Sequence, residues 1–169
     1  MAGPAEWSVG YARQANADFE LFQALQAGAA EQCHRMQLLQ MACEKLAKAH
    51  LCGAGADPAG VQTSHAFVAK TLPVILKQTA ITFNFTGPPA AEAIKLAGRL
   101  AREIELLTPG VDANGKRPDN CEYPWEDDAG VLHSPLDWAF SPSDLLTARA
   151  GRTVLKLIQE AIKRLLPPT

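Results

Sequence analysis

The sequence predicts an all-α fold, an up-down bundle of about five helices with one long insertion. Alanine (29 residues) and leucine (20) far outnumber valine and isoleucine (13 together), and this ratio favours helix over strand on intrinsic propensity. Apolar residues recur at steps of three and four along several segments, which is typical of amphipathic helices. A chain of 169 residues suffices for one hydrophobic core, so we expect residues 1–169 to form a single domain.

Two helices are predicted in the first third of the chain. An apolar stripe indicates a first helix at about residues 8–27, which ends at Gly28. A second and more strongly patterned helix is predicted at about residues 30–51. Glycines and a proline in residues 53–60 predict a turn after it.

A third helix and an extended connection are predicted next. Thr63 or Ser64 is suited to cap a helix that continues through Leu76, with Pro73 either kinking it or lying near its start. In residues 81–86 apolar and polar side chains alternate as they do in a strand, but the sequence offers no obvious partner strand. We therefore expect an extended connection there.

The last two predicted helices flank the insertion. A helix at about residues 90–107 carries its apolar side chains on one face. The Ser-Pro-Ser-Asp sequence at residues 141–144 offers a capping serine, a proline at the first helical position and an acidic residue, and it predicts a fifth helix that continues through Leu165. The insertion, residues 108–141, is too long for a plain connection, so we expect it to be functional or structured in its own right.

The insertion is acidic and rich in aromatic side chains. It holds seven acidic residues against Lys116 and Arg117, a net charge of −5, and since the whole chain carries −2, the helical body carries +3. Large aromatic side chains commonly fix such a segment to a core. We therefore expect Trp125, Trp138 and Phe140 to anchor the insertion to the bundle.

We expect the insertion to be either irregular or a short β-ribbon. The Asp-Ala-Gly sequence at residues 128–130 lies between two short segments, residues 121–126 and 131–134, that are suited to a two-stranded ribbon. Three adjacent acidic residues, 126–128, lack the spacing of a cation-binding loop. We interpret them as a solvated turn.

Charge, hydropathy and cysteine spacing argue against several classes of function. A net charge of −2 gives no general attraction to nucleic acid or to an anionic membrane, although local patches leave RNA open as a partner. No segment has the length of apolar residues that a membrane helix needs, and the first residues lack the pattern of an export signal. The four cysteines form no C-x-x-C pair. We expect a cytoplasmic protein with reduced thiols, no metal and no cofactor.

The first half of the chain carries a recognisable order of motifs. Trp7 and Tyr11 lead into the Asp-Phe-Glu sequence at residues 18–20, and the second helix carries Gln-Met-Ala-Cys-Glu-Lys-Leu-Ala-Lys-Ala at residues 40–49. Over roughly residues 7–80 this pattern resembles the HEPN domain family of small helical bundles. The resemblance implies a bacterial protein that forms a homodimer and pairs with a nucleotidyltransferase-like partner in a toxin–antitoxin arrangement.

HEPN ribonucleases carry an Arg-x(4–6)-His motif, which this sequence lacks. Its nearest approach is Lys45-x4-His50 on the second helix, and lysine does not reproduce the forked geometry with which arginine holds a phosphate. The leading hypothesis is therefore a non-enzymatic HEPN-like binding or regulatory module. Two alternatives stay open: a divergent metal-independent ribonuclease, and a binder of a nucleotide or small molecule between the insertion and the bundle.

The only plausible acid–base and phosphate-binding groups for a ribonuclease are Arg35, His50 and His65. Arg35 falls on the apolar stripe of the second helix. A buried arginine usually pairs with a carboxylate. The competing interpretation of Arg35 is therefore a structural ion pair, with its partner among Asp18, Glu20 and Glu103.

The two histidines are expected in opposite helical environments. His50 lies near the C-terminus of the second helix, where the macrodipole favours the protonated imidazole, and a packing role competes with that of a catalytic base. His65 is expected in the first turn of the third helix, where the dipole favours a neutral imidazole suited to a general base or an anion site. The sequence alone places no partner beside His65.

The candidate binding residues are Lys45, Lys48, Tyr123 and Trp125. Tyr123 and Trp125 belong to the insertion, and the two lysines belong to the second helix. Helical spacing assigns Gln37, Gln40 and Glu44 to the same exposed polar face as Lys48. Met41 interrupts that face, which favours a contact with a partner there.

Overall fold

Helices make up most of the described chain, which comprises residues 2–111 and 119–168 of a computed structural model. Its α-helices are α1 (Pro4–Gln26), α2 (Gln32–Gly53), α3 (Pro58–Gln62), α4 (Val68–Thr82), α5 (Pro88–Glu105), α6 (Ser141–Thr147) and α7 (Arg149–Leu165). The strands β1 (Trp125–Glu126) and β2 (Leu132–His133) form one small sheet, followed by a 3₁₀ turn at Pro135–Asp137. The predicted all-α bundle with a small β insertion is confirmed.

Helix α2 lies at the centre of the bundle. It packs along α1 and also contacts α4, α5 and α7. Ser8 of α1 donates a hydrogen bond from Oγ to the carbonyl oxygen of Ala49 at 2.8 Å. The absence of a side chain at Gly53 permits this approach, because a Cβ there would lie 3.1 Å from Ser8 Oγ. The two longest helices therefore form one tightly packed pair.

The prediction that α2 has an exposed polar face is wrong. Gln40, Glu44 and Lys48 are 3%, 9% and 5% exposed, because neighbouring helices and the segment before α4 cover this side of α2 as well as its apolar stripe. Met41 is only partly exposed. The polar side chains are therefore bonded to one another inside the protein and do not form a solvated surface.

Helix α4 begins later and ends later than the sequence predicts. A short helix, α3, occupies part of the predicted turn at residues 53–60 and continues past it. The backbone N–H of Ala69, in the first turn of α4, donates to Glu105 Oε2 of α5 at 2.9 Å. His65 precedes α4 and lies in a loop, so the prediction that it occupies the first turn of that helix is wrong.

The predicted extended connection at residues 81–86 is also wrong. Residues 81 and 82 are still helical, and Asn84 adopts a left-handed backbone with φ of 51°. The N–H of Asn84 donates to the carbonyl of Ile81 at 3.0 Å, and that of Phe85 donates to Ala80 at 2.9 Å. This pair of bonds is a Schellman motif, which satisfies the last carbonyls of the helix. The apparent alternation in the sequence is a helix end.

The predicted fifth helix is two helices. Helix α6 ends at Thr147, and Ala148 adopts an extended backbone with φ of −66° and ψ of 159° before α7 begins. The backbone of α6 lies directly over Gly151 of α7, where a Cβ would come within 2.2 Å of the carbonyl oxygen of Leu145. The glycine allows this close contact, and the break at Ala148 reverses the chain so that the contact forms.

The predicted hairpin of the insertion is present, with Trp125 opposite His133 in an antiparallel pair. Asp127 organises its turn and does not lie free in solvent as predicted for the whole acidic tip. Its Oδ1 accepts hydrogen bonds from the backbone N–H groups of Ala129 and Val131, each at 2.9 Å. Its Oδ2 lies 2.8 Å from His133 Nε2.

Aromatic side chains connect the insertion to the bundle. Phe140 is 1% exposed and belongs to the main core, and Trp138 packs against that core. Trp125 contacts Trp138 edge to face, with ring centroids 5.2 Å apart. This chain of contacts agrees with the expected anchoring role. In the ranges that the structure describes, no helix combines the length and the apolar character needed to cross a membrane.

Candidate functional site

A cleft of about 230 Å³ lies where the start of α2 meets α6 and α7. Arg35 of α2 and Arg152 of α7 line it. Met36, Leu146 and Leu155 supply its apolar lining. We call this space the two-arginine cleft.

Arg35 has no ion-pair partner among the described residues. Its Nε is buried and makes no hydrogen bond. The predicted structural ion pair is therefore wrong: Asp18 Oδ2 instead accepts a hydrogen bond from Lys45 Nζ, and Glu20 Oε1 accepts one from Asn16 at 2.8 Å. A buried polar atom without a partner carries a desolvation cost, and no carboxylate in the described part of the chain offsets the charge of this guanidinium.

Arg152 adds a second positive charge to the cleft. Its Nη1 donates to the carbonyl oxygen of Thr147, the last residue of α6. Gln26, Ser143 and Thr147 also line the cleft, and no carboxylate is among its described lining residues. Two guanidinium groups beside neutral polar residues are suited to an anion, and the forked donors of arginine match a carboxylate or phosphate group.

A second polar cluster joins two of the sequence-predicted residues, His65 and Lys48, through Glu44. Glu44 Oε1 lies 2.9 Å from Lys48 Nζ and 3.0 Å from His65 Nδ1, and Glu44 Oε2 accepts from Gln40 Nε2 at 2.8 Å. Lys48 Nζ also donates to the carbonyl oxygen of Gln62 at 3.3 Å. We call these four side chains the Glu44 network. Its carboxylate is the partner for His65 that the sequence did not place.

The Glu44 network contains a largely buried ion pair. The side chains of Glu44 and Lys48 are 12% and 6% exposed, whereas that of His65 is 48% exposed. Burial raises the pKa of Glu44, but hydrogen bonds from Lys48, Gln40 and His65 and the charge of Lys48 lower it more, so the pKa lies below its ordinary value. Glu44 is therefore held as a carboxylate that fixes the position of Lys48.

The lowered pKa of Glu44 predicts an acid-dependent loss of stability. Because the folded pKa lies below the unfolded value near 4.5, the ionised network stabilises the fold fully above that pH and loses this contribution as the pH falls through the folded pKa. We expect wild type to exceed Glu44→Gln in unfolding free energy at pH 7 and the difference to shrink toward pH 3. Urea unfolding across this range measures it, and a constant difference would contradict the prediction.

His50 lies apart from both clusters. It lines a small space of about 90 Å³ together with Thr79 and Arg164. Burial lowers its pKa, which opposes the protonated form that the helix C-terminus is expected to favour. This environment agrees with a packing role.

The three candidate catalytic groups do not converge on one site. Arg35 and His50 are fifteen residues apart on α2, which places them about 22 Å apart along the helix axis. His65 is bonded to Glu44, nine residues from Arg35. This separation favours binding over hydrolysis as the role of the arginine.

The other candidate binding residues are not among the described lining residues of the two-arginine cleft. Lys45 is engaged with Asp18 between α1 and α2. Tyr123 is 60% exposed on the insertion, whereas Trp125 is 8% exposed and stacks on His133. The two-arginine cleft lies next to α6, where the insertion rejoins the bundle, and none of its lining residues within the described ranges belongs to the insertion.

Sequence reasoning missed Arg152 and the burial of Glu44. Arg152 lies in the first turns of α7, but the sequence predicts one continuous helix there, and that helix alone does not place Arg152 near α2. Glu44 and Lys48 have the i, i+4 spacing of an exposed ion pair, and that spacing is the same for a buried one. A signal was present in Gln40, a third polar residue four positions before Glu44.

Burial limits the reactivity of the cysteine side chains. The four cysteines are buried and unpaired. Burial raises the pKa of Cys43 to about 12, and burial likewise raises the pKa of Cys121, so neither thiol ionises near neutral pH. Within residues 2–111 and 119–168, no group of three His, Cys, Asp or Glu side chains is arranged to hold a metal ion.

Comparisons of the chain with protein-family models, with curated proteins and with solved structures found no match. The resemblance to the HEPN family therefore stays a prediction from the sequence.

Proposed function

We propose that the protein is a non-enzymatic, HEPN-like binding module whose two-arginine cleft takes the phosphate or carboxylate group of an anionic ligand. The observation that carries this proposal is a cleft lined by both Arg35 and Arg152, neither of which has an ion-pair partner among the described residues. An anion held by the two guanidinium groups would offset the repulsion between them.

The size and lining of the cleft indicate the ligand class. About 230 Å³ is smaller than the 300–1,000 Å³ or so typical of pockets that enclose drug-sized ligands. The cleft has room for one anionic group and few further atoms. A larger ligand such as a nucleotide would therefore leave most of its atoms in solvent. The apolar side chains of Met36, Leu146 and Leu155 would then pack against the part next to the charge.

Phosphate-dependent thermal stability tests the proposal. We expect inorganic phosphate, added at constant ionic strength against chloride, to raise the melting temperature, because a ligand that binds only the folded state stabilises it by about 2.7 kcal/mol at a hundred times its Kd. Arg35→Met, which keeps the apolar stem, should abolish the shift. Arg13→Met, an exposed arginine on α1, is the matched control and should keep it.

Two outcomes would contradict the proposal. One is a phosphate shift that is absent from wild type or unchanged in Arg35→Met. The other is cleavage of total RNA by the purified protein that is lost in His50→Ala or His65→Ala, since this would make it a ribonuclease.

The resemblance to the HEPN family also implies a protein partner. A nucleotidyltransferase-like protein, paired with this chain as in toxin–antitoxin systems, is what the sequence of α2 implies through the resemblance. A neighbouring gene for such a protein, followed by co-purification of the two products, would support the pairing. A solitary gene would count against it, and the phosphate experiment would remain a separate test of the cleft.

A further inference from the structure

The hairpin of the insertion carries exposed apolar side chains and a high negative charge. Leu132 is 74% exposed, and Val131, Leu136 and Tyr123 are each at least half exposed. Residues 121–137 contain five carboxylates and no lysine or arginine. We call residues 121–137 the arm hairpin. Exposed apolar side chains grouped in this way on one small element are typical of an interaction surface.

A groove with several positively charged side chains lies between α5 and α6. It has a volume of about 420 Å³ and runs over Leu96, Leu145 and two alanines. Lys95, Arg99 and Arg102 line it and follow one another at helical steps of four and three, so they project from one face of α5. We call it the α5–α6 groove.

The three cations of the α5–α6 groove have no ion-pair partners among the described residues. Two carboxylates, Glu92 and Asp144, also line the groove but lie outside ion-pair distance of those cations. The lining therefore combines an apolar floor with a net positive charge. That combination is complementary to the arm hairpin, which has exposed leucine and valine side chains and is acidic throughout.

We propose that the arm hairpin of one copy of this chain docks into the α5–α6 groove of a second copy. A second copy is the occupant because every chain carries both surfaces, with opposite charge, and in the described structure neither is covered by the rest of its own chain: Leu132 is 74% exposed and the groove is open. One interaction accounts for the exposed leucine and for the unpaired cations together.

The position of the two surfaces in the chain favours a reciprocal exchange. The chain of the insertion passes through Phe140 into α6, which begins at Ser141 and forms one wall of the groove. The hairpin and the groove are thus joined through a buried anchor. If each hairpin enters the groove of the other copy, the assembly closes as a twofold dimer with two equal contacts. Opposite charge would speed this encounter and make it sensitive to salt.

Light scattering coupled to size-exclusion chromatography tests the docking. We expect a dimer at micromolar concentration in about 50 mM salt and a weaker dimer near 0.5 M salt. Leu132→Ser in the hairpin and Arg99→Glu in the groove should each raise the dimer Kd about tenfold or more, as substitutions at the centre of an interface do. Both residues are exposed, so the melting temperature of the separate chains reports intact folding.

Mixing the two variants gives the sharper result. The Leu132→Ser chain keeps an intact groove and the Arg99→Glu chain keeps an intact hairpin, so a mixed dimer holds one intact contact and one contact that carries both substitutions. Since effects within one contact are not additive and the second substitution costs little where the first has already broken the contact, an equimolar mixture should associate more tightly than either variant alone. Leu21→Ser and Arg13→Glu, exposed positions on α1, should leave the dimer unchanged. A wild type that stays monomeric at about 100 μM, a dimer indifferent to both variants, or a mixture without recovery would overturn the proposal.

Discussion

Replacing Glu44 with alanine is expected to cost about 3–5 kcal/mol of unfolding free energy, the range found when one partner of a buried ion pair is removed. Lys48 would keep its charge at a side-chain exposure of 6% with no carboxylate to compensate it. Gln40 and His65 would lose their hydrogen-bond acceptor at the same time. Since small domains are stable by about 5–15 kcal/mol, this loss would leave the fold marginal.

The double variant Glu44→Ala/Lys48→Met separates the charge from the packing. Removal of both charges should restore most of the loss, because a buried pair replaced by apolar side chains often costs little. Glu160→Ala is the matched control: Glu160 pairs with Lys163 at 2.8 Å, but both side chains are exposed, and such pairs contribute at most about 1 kcal/mol. Urea unfolding with linear extrapolation measures all three variants. A single variant no worse than the Glu160 control would refute the structural role of the Glu44 network.

Gly151→Ala is the second large effect we expect, a destabilisation of about 2–3 kcal/mol. The added Cβ would lie 2.2 Å from the carbonyl oxygen of Leu145 and 2.6 Å from Cα of Leu146. Both atoms belong to backbone, so a rotamer change cannot relieve the overlap, and α6 must move away from α7. This displacement would also separate Arg152 from the C-terminus of α6 and weaken phosphate binding in the two-arginine cleft.

Gly98→Ala provides the matched control on another helix. A Cβ at Gly98 of α5 meets no atom within 4 Å, so the helix propensity of alanine should stabilise the protein by about 0.5–1 kcal/mol. The same chemical change is thus expected to have opposite signs at the two positions. Thermal unfolding of the pair tests this, and equal shifts of the melting temperature would show that α6 does not press on α7 at Gly151.

Much of the helical framework follows from the sequence, because the period of apolar side chains depends on one helix at a time. The predicted positions of α1, α2 and α5 agree with the structure to within a few residues, and the hairpin follows from its Asp-Ala-Gly turn. The predictions that are wrong concern segments whose backbone depends on more than the periodicity of one helix. The alternation at residues 81–86 imitates a strand, but the left-handed backbone of Asn84 makes it a helix end.

The candidate sites were less predictable than the helices. Periodicity places Arg35 correctly toward the interior of the bundle, but it offers three carboxylates as partners, and two of them are bonded elsewhere. It also assigns Gln40, Glu44 and Lys48 to one face without revealing that other elements cover that face. Arg152 was missed because the break before α7 depends on the fit of α6 over Gly151.

The helical class of this protein and its acidic aromatic insertion follow from residue propensities, periodicity and charge, which are properties of the chain. Contacts between distant elements place Arg35 without an ion pair in the same cleft as Arg152 and hold Lys48 against Glu44 inside the bundle. The physical reason is that helical spacing fixes the directions of side chains relative to one another. Their partners, burial and pKa values depend on the elements that pack against them, which are distant in the chain.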